Sequence, residues 1–302
     1  MDSWQFHRAS VLAAVLAGTL MLTGCASKAP SVKSASAAGT TARANSLEAP
    51  EPTPVTRSKN IFKASTLGEM PDGVNRSNCK PQSGRQHVFL IHGTLHSSML
   101  SFKALGPRLV KEGHCVYSAD YGAIDATNAL KARKPVAENA QEVALAIDRV
   151  LKQTGQSKID LVGYSQGGLI GFYLIRDKGY ASKIRHFTAI SPSVRGTTSG
   201  GALRFNQAGT CPACADQFHE SDFIRQFTTN AITVPGVKYT VLATRDDWIV
   251  TPFESQFVKE PGVRNILVQD RLNGKTVSHV GMMYDDAVID LIVNVVNVPP
   301  AG

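Results

Sequence analysis

Short apolar runs punctuate the chain at His87–Ile91, Cys115–Ala119, Ile159–Val162, His186–Ile190, Tyr239–Ala243 and Asn265–Val268. Such runs suit strands buried on both faces, as in a parallel sheet. Between them the period changes. Over Pro135–Gln153, Val136, Ala140, Val143, Ile147 and Val150 recur at spacings of three and four, which marks one face of a helix. Pro135 suits a first turn, where its missing N–H costs nothing, and Gly155 suits the stop. Two further helices are predicted near Gly168–Asp177 and Asp285–Val296. Strands alternating with helices define an α/β chain: a mostly parallel sheet with helices on both faces. The alternation breaks once, over Ser191–Gly236, a stretch rich in Gly, Thr and Cys where a short crossover would have sufficed. A long insertion of this kind reads as a lid or substrate-binding region, with an elaborated surface loop as the alternative.

The amino terminus carries a different signal. A twelve-residue, largely apolar run from Val11 to Leu22 follows Arg8 and ends in Leu22-Thr23-Gly24-Cys25. That run is too short to span a bilayer as a permanent helix and fits the apolar part of a secretory signal. Small residues followed by a cysteine resemble the lipobox of bacterial lipoproteins; a plain signal peptide with a chance cysteine is the alternative. The resemblance implies removal of residues 1–24 and acylation of Cys25. Each buried methylene of the acyl chains would contribute about 0.8 kcal/mol to anchoring in the cell envelope. Ala26, where retained inner-membrane lipoproteins usually have Asp, implies the outer membrane. Residues 26–60 are rich in Ser, Ala, Thr and Pro and have no apolar periodicity, which predicts a disordered tether behind the lipidated cysteine. The folded domain is therefore expected over residues 61–302.

Composition narrows the class. Of 302 residues, 43% are hydrophobic and 19% charged, which excludes a disordered or fibrous chain. The formal charge of +8 divides unevenly, because residues 25–60 hold five Lys/Arg against two Glu. The domain keeps 26 Lys/Arg and 21 Asp/Glu, scattered rather than striped, so a nucleic-acid partner is not expected. The basic excess beside the lipid fits anionic head groups better.

Chemistry enters at Gly163-Tyr164-Ser165-Gln166-Gly167, directly after the Ile159–Val162 run and before a helical pattern. A serine in a sharp strand-to-helix turn presents its hydroxyl at the carboxyl edge of a sheet, and the flanking glycines remove side chains that would collide there. Placement between strand and helix gives the pentapeptide its weight. Serine needs a base, and the base an orienting acid. In this architecture the chain order is Ser, Asp/Glu, His. His186 begins a strand run and His219 falls in the insertion, whereas His279 follows the last strand run and precedes the last helix. His279 is the predicted base. The acid should end the preceding strand, where Asp246 and Asp247 are adjacent. Adjacent side chains point opposite ways in extended chain, so one is expected to orient His279 and the other to make structural contacts; spacing alone does not choose. Asp120 precedes the serine and reads as a loop residue. Oxyanion donors are expected at the Gln166 amide and in the loop after His87–Ile91, at Thr94 or alternatively Leu95, with His92 holding that loop.

Together these segments resemble the α/β-hydrolases, and specifically the class 2 lipases, secreted bacterial triacylglycerol lipases and carboxylesterases. Over residues 75–290 the matching series includes Cys79-Lys80-Pro81, Val88 through Thr94, Gly113 through Tyr117, Asp120-Tyr121-Gly122 and Gly163 through Gly168. It continues through Cys211-Pro212-Ala213-Cys214, Asp247 through Pro252, Gln269-Asp270 and His279. The family's Asp-x-Ile/Val-Val-x-Pro pattern falls on Asp247 and selects it over Asp246. One departure is Leu272, near which relatives often have a cysteine.

With Cys25 lipidated, Cys79, Cys115, Cys211 and Cys214 remain in an oxidising compartment. Four cysteines allow three pairings. Cys79–Cys115 would tie the incoming segment to a strand, and Cys211–Cys214 would close a tight loop. A redox or metal role for the latter pair lacks the thioredoxin context and the fourth ligand. The expected activity is hydrolysis of small-molecule or lipid acyl esters through Ser165, Asp247 and His279, by a monomer needing no metal or cofactor. Leu203, Phe205, Phe218, Phe223 and Phe227 could line an acyl site or be packed core. An acyltransferase with the same triad and a non-catalytic surface lipoprotein are the rival readings.

Overall fold

The computed structural model describes residues 68–125, 130–201 and 209–298, all within one compact unit. The signal segment, Cys25, the tether, Leu203 and Phe205 lie outside the described residues. Six strands form a fully parallel sheet in the order β2-β1-β3-β4-β5-β6. They are β1 (His87–Ile91), β2 (Cys115–Ser118), β3 (Ile159–Tyr164), β4 (Ile184–Ile190), β5 (Lys238–Ala243) and β6 (Val263–Leu267). All six coincide with the apolar runs to within a few residues. β4 and β6 each begin two residues early, and β3 runs two residues further, where Gly163 and Tyr164 continue the ladder onto Ala189 and Ile190. β6 ends one residue early because Val268 opens a short helix.

The helices are α1 (Ser98–Phe102), α2 (Leu105–Lys111), α3 (Val136–Thr154), α4 (Gln166–Asp177), α5 (Pro212–Asp216), α6 (Asp222–Thr228), α7 (Val268–Arg271) and α8 (Asp286–Asn297). Pro135 precedes the first turn of α3, and Gly155 ends it in the left-handed region at φ 67°. Asp285 caps α8 by accepting the Ala287 and Val288 amides.

Strand alternation sorts the core into two layers. Phe89, Ile91, Leu161, Phe187, Ala189 and Val241 face the layer formed with α3 and α4, whereas Val88, Leu90, Val162 and Leu242 face the layer formed with α2 and α8. Because both faces are covered, the strands read as continuous apolar runs. Among the described residues no helix is long and apolar enough to cross a membrane.

The insertion between β4 and β5 carries α5 and α6. For two of its aromatics the packed-core alternative holds: Phe227 is buried in the core and Phe223 packs against it, both beside Tyr173 of α4 at ring separations of 6.2 and 5.3 Å. Phe223 and Phe227 are four apart on α6, the spacing of one helix face. Phe218 lies against His219 instead. Two disulfides, Cys79–Cys115 and Cys211–Cys214, tie the incoming segment to β2 and close the start of α5.

Candidate active site

The end of β3 turns into α4 within a single residue. Ser165 bridges them with φ 55° and ψ −119°, a conformation that costs a non-glycine residue about 1–3 kcal/mol. Its neighbours explain how the turn is enforced. A Cβ on Gly163 would lie 2.3 Å from the Gly167 carbonyl oxygen, and one on Gly167 would lie 2.1 Å from that of Ile91. Only glycine lets helix and strands approach so closely. The Ser165 amide donates to the Ile190 carbonyl at 2.8 Å, and its carbonyl accepts the Gly168 amide at 2.9 Å.

His279 follows Val277 and Ser278 at the entrance to a short helical turn, and is 2% exposed. Its Nδ1 donates to Asp247 Oδ2 at 2.6 Å, which leaves Nε2 as the ring nitrogen not engaged by the carboxylate. The ring packs on Tyr164, centroids 5.1 Å apart, and the Tyr164 hydroxyl donates to the His279 carbonyl at 3.2 Å. Asp247 is held on both oxygens: Oδ1 accepts the Ile249 and Val250 amides at 2.9 and 2.8 Å, and Oδ2 also accepts Gln256 Nε2 at 2.9 Å. Asp246 does different work. Its Oδ2 accepts the Val277 amide and Gln269 Nε2, both at 2.9 Å, bracing the loop that carries His279.

Ser165 and His279 line one cavity of about 340 Å³ with mostly apolar walls, together with Thr94, Tyr164, Gln217 and Trp248. Trp248, 65% exposed, stands at its edge. The Gln166 amide, at the start of α4, and the Thr94 amide have no acceptor among the described residues. The Leu95 amide is committed to the Lys131 carbonyl at 3.0 Å, so of the two loop candidates only Thr94 has a free amide.

His92, His186 and His219 take no part in this pairing. His92 is buried, its Nδ1 donating to the Gly93 carbonyl at 3.0 Å and its Nε2 accepting the Tyr121 amide at 3.4 Å, an arrangement of the neutral ring. Burial holds its pKa below the usual value, opposed by nearby Asp120. Asp120 accepts the Ser98 amide at 2.7 Å and the Gly68 amide at 3.3 Å. His186 lies inside the sheet against Thr240 Oγ1 at 3.1 Å, and His219 pairs its backbone with Thr197.

Three side chains escape the sequence reading. Gln256 supports Asp247 from nine residues away, Gln217 reaches Thr94 from the insertion, and His96 lines the cavity against Ser101 Oγ at 3.1 Å. Burial, with His92 and His279 nearby, lowers the His96 pKa to about 4. A histidine three residues after His92-Gly93 is a signal that could have found His96; the two glutamines leave none.

A serine on a strained turn at the wall of a cavity, an imidazole backed by a carboxylate and backbone amides with no acceptor among the described residues can generate a nucleophile and stabilise an oxyanion. The family model for the alpha/beta hydrolase fold matches residues 86–206. With the parallel sheet and the strand–serine–helix turn, this shows an α/β-hydrolase-fold domain of six parallel strands flanked by helices. It is similar to Aspergillus fumigatus lipase B, at TM-score 0.59 and 19% identity, over 83% of this chain and 64% of that one. It is also similar to the mature form of Bacillus licheniformis lipase BlEst2, at TM-score 0.55 and 14% identity, over 72% of this chain and 95% of that one. Among curated proteins, lysosomal thioesterase PPT2-B of Xenopus laevis is 34% identical over 83 residues, which are 28% of this chain and 27% of that protein. The chain thus spans under two thirds of the length of lipase B and about a quarter of the thioesterase.

Proposed function

We propose that the protein is a serine ester hydrolase, a lipase or carboxylesterase, with Ser165 as nucleophile, His279 as general base and Asp247 as its orienting acid. The observation that carries this reading is the 2.6 Å His279–Asp247 contact at the wall of the cavity that also holds Ser165 on its strained turn. His279 Nε2 takes the Ser165 proton as Oγ attacks the ester carbonyl. The Asp247 carboxylate stabilises the resulting imidazolium and keeps the ring oriented. The Gln166 and Thr94 amides receive the oxyanion. Collapse expels the alcohol, protonated by His279, and leaves an acyl group on Ser165. Water, deprotonated by the same histidine, then releases the acid. The apolar walls suit an acyl chain, and the lipase and thioesterase names of similar proteins agree with acyl-group hydrolysis. The test is labelling by a fluorophosphonate probe. Parent protein should be labelled at Ser165, and the Ser165→Ala variant should not; folded parent that takes no label would favour the non-catalytic reading.

Within this reading the protein is a class 2 lipase on a bacterial lipoprotein signal. Residues 1–24 are removed, acylated Cys25 and the tether to residue 60 anchor it in the outer membrane, and residues 61–302 do the chemistry. The Leu22–Cys25 lipobox supports the anchor. Cys25→Ala protein should lose incorporation of labelled fatty acid and leave the membrane fraction; retention of both rejects the anchor.

A further inference from the structure

Thr94 Oγ1 accepts two hydrogen bonds, from Gln166 Nε2 and from Gln217 Nε2, each at 2.8 Å. Neither amide can be turned round. Gln166 Nε2 also donates to the Ala132 carbonyl at 3.1 Å, and its Oε1 accepts Asn139 Nδ2 at 2.8 Å. Gln217 Nε2 also donates to the Ala213 carbonyl at 2.9 Å, and its Oε1 accepts the Ser193 hydroxyl at 2.8 Å. A carbonyl oxygen can only accept, so both NH2 groups must face Thr94. A hydroxyl has two acceptor positions and one proton. Both acceptor positions of Thr94 are filled, so its proton must leave in the remaining direction. No acceptor for it exists among the described residues, and Thr94 lines the cavity beside Ser165.

We propose that Gln217 is a positioning residue of the oxyanion hole. With Gln166 it fills the lone pairs of Thr94 Oγ1 and aims the Thr94 hydroxyl proton into the cavity, as a third donor beside the Thr94 and Gln166 amides. This rests on the serine-hydrolase reading above. Gln217 is 6% exposed and follows directly on α5, the helix that begins at the Cys211–Cys214 disulfide. The insertion thereby reaches the reacting carbonyl through one side chain. Without Gln217 the hydroxyl keeps only the Gln166 bond and turns freely, and the donor is no longer fixed before the charge develops.

The test is a double-mutant cycle read with p-nitrophenyl butyrate. Thr94→Val keeps the shape and the backbone amide but removes the hydroxyl, and should lower kcat roughly 100-fold with KM changed less than about 3-fold. Thr94→Ser restores the hydroxyl and should come within about 5-fold of the parent. Gln217→Met should lower kcat about 10-fold in the parent and cost nothing further in the Thr94→Val background, because it acts only through that hydroxyl. Affinity for a boronic acid, which forms a tetrahedral adduct on the serine, should fall in step with kcat/KM. Equal losses from Gln217→Met in both backgrounds, or full activity in Thr94→Val, overturn the proposal while leaving the serine reading intact. Undiminished hydrolysis by Ser165→Ala overturns both.

Discussion

Asp246 accepts the Val277 amide at 2.9 Å, two residues before the His279 ring that its neighbour Asp247 contacts at 2.6 Å. Two consecutive carboxylates at the end of β5 thus divide the work: one holds the loop, the other the imidazole. Asp247→Asn removes the charge opposite the imidazolium and should lower kcat by roughly 10³–10⁴-fold with the fold intact. Asp246→Asn keeps an acceptor for only part of its network, so it should lower the melting temperature while reducing kcat no more than about tenfold. Steady-state kinetics and thermal unfolding of the two variants check the division. Equal kinetic losses would contradict it.

A Cβ on Gly167 would overlap the Ile91 carbonyl oxygen at 2.1 Å, whereas one on Gly155 meets nothing within 4 Å. Gly155→Ala therefore pays only for the left-handed backbone at φ 67°, about 1–2 kcal/mol. Gly167→Ala must move backbone against backbone, and should destabilise the protein by about 3 kcal/mol or more. Urea unfolding of both variants measures the difference, and Gly155→Ala as the more damaging change would contradict the packing argument.

His186 is buried in the sheet, and burial, reinforced by Arg185, Lys238 and Arg264, lowers its pKa to about 4 from 6.5. The unfolded chain therefore binds the proton more readily than the folded one. Its contribution is fully present above pH 6.5 and is lost as the pH falls from there towards 4. The loss amounts to about 3 kcal/mol. His186→Gln cannot be protonated, so the stability difference between parent and variant should shift by about that amount over this window. Chemical denaturation at pH 7 and pH 4.5 reads it. An unchanged difference removes His186 from the acid response.

The Cys79–Cys115 disulfide closes a loop of sequence separation 36, and Cys211–Cys214 one of only 3. Loop-closure entropy makes the first worth about 4 kcal/mol and the second about 2 kcal/mol. Paired Cys→Ser replacements should lower stability in that order. The second pair begins α5, which delivers Gln217, so its loss should fall on kcat out of proportion to its effect on stability.

Much of this architecture is legible because burial on two faces leaves a plain mark. Leu161 and Val162 face opposite core layers, so β3 reads as a mainly apolar run, and α3 keeps an apolar stripe, interrupted only by Asn139, between Pro135 and Gly155. The elbow is legible because Gly163 and Gly167 are demanded by contacts of one short turn. Side-chain bridges across distant segments have no such mark. Gln217 meets Thr94 from 123 residues away, and no period or local composition announces a buried amide. The insertion's phenylalanines show the converse: the spacing of Phe223 and Phe227 was visible, yet spacing alone does not say whether a helix face meets a substrate or, as here, Tyr173.

The role of Ser165 is tested most directly by the Ser165→Ala variant, assayed on p-nitrophenyl butyrate and octanoate beside the parent with thermal unfolding as the control. Parent protein should hydrolyse both esters, and the variant should unfold like the parent while its hydrolysis falls to background, a loss on the order of 10⁶-fold in kcat for a serine acting with its histidine. A folded variant that still cleaves either ester at the parent rate would contradict the account.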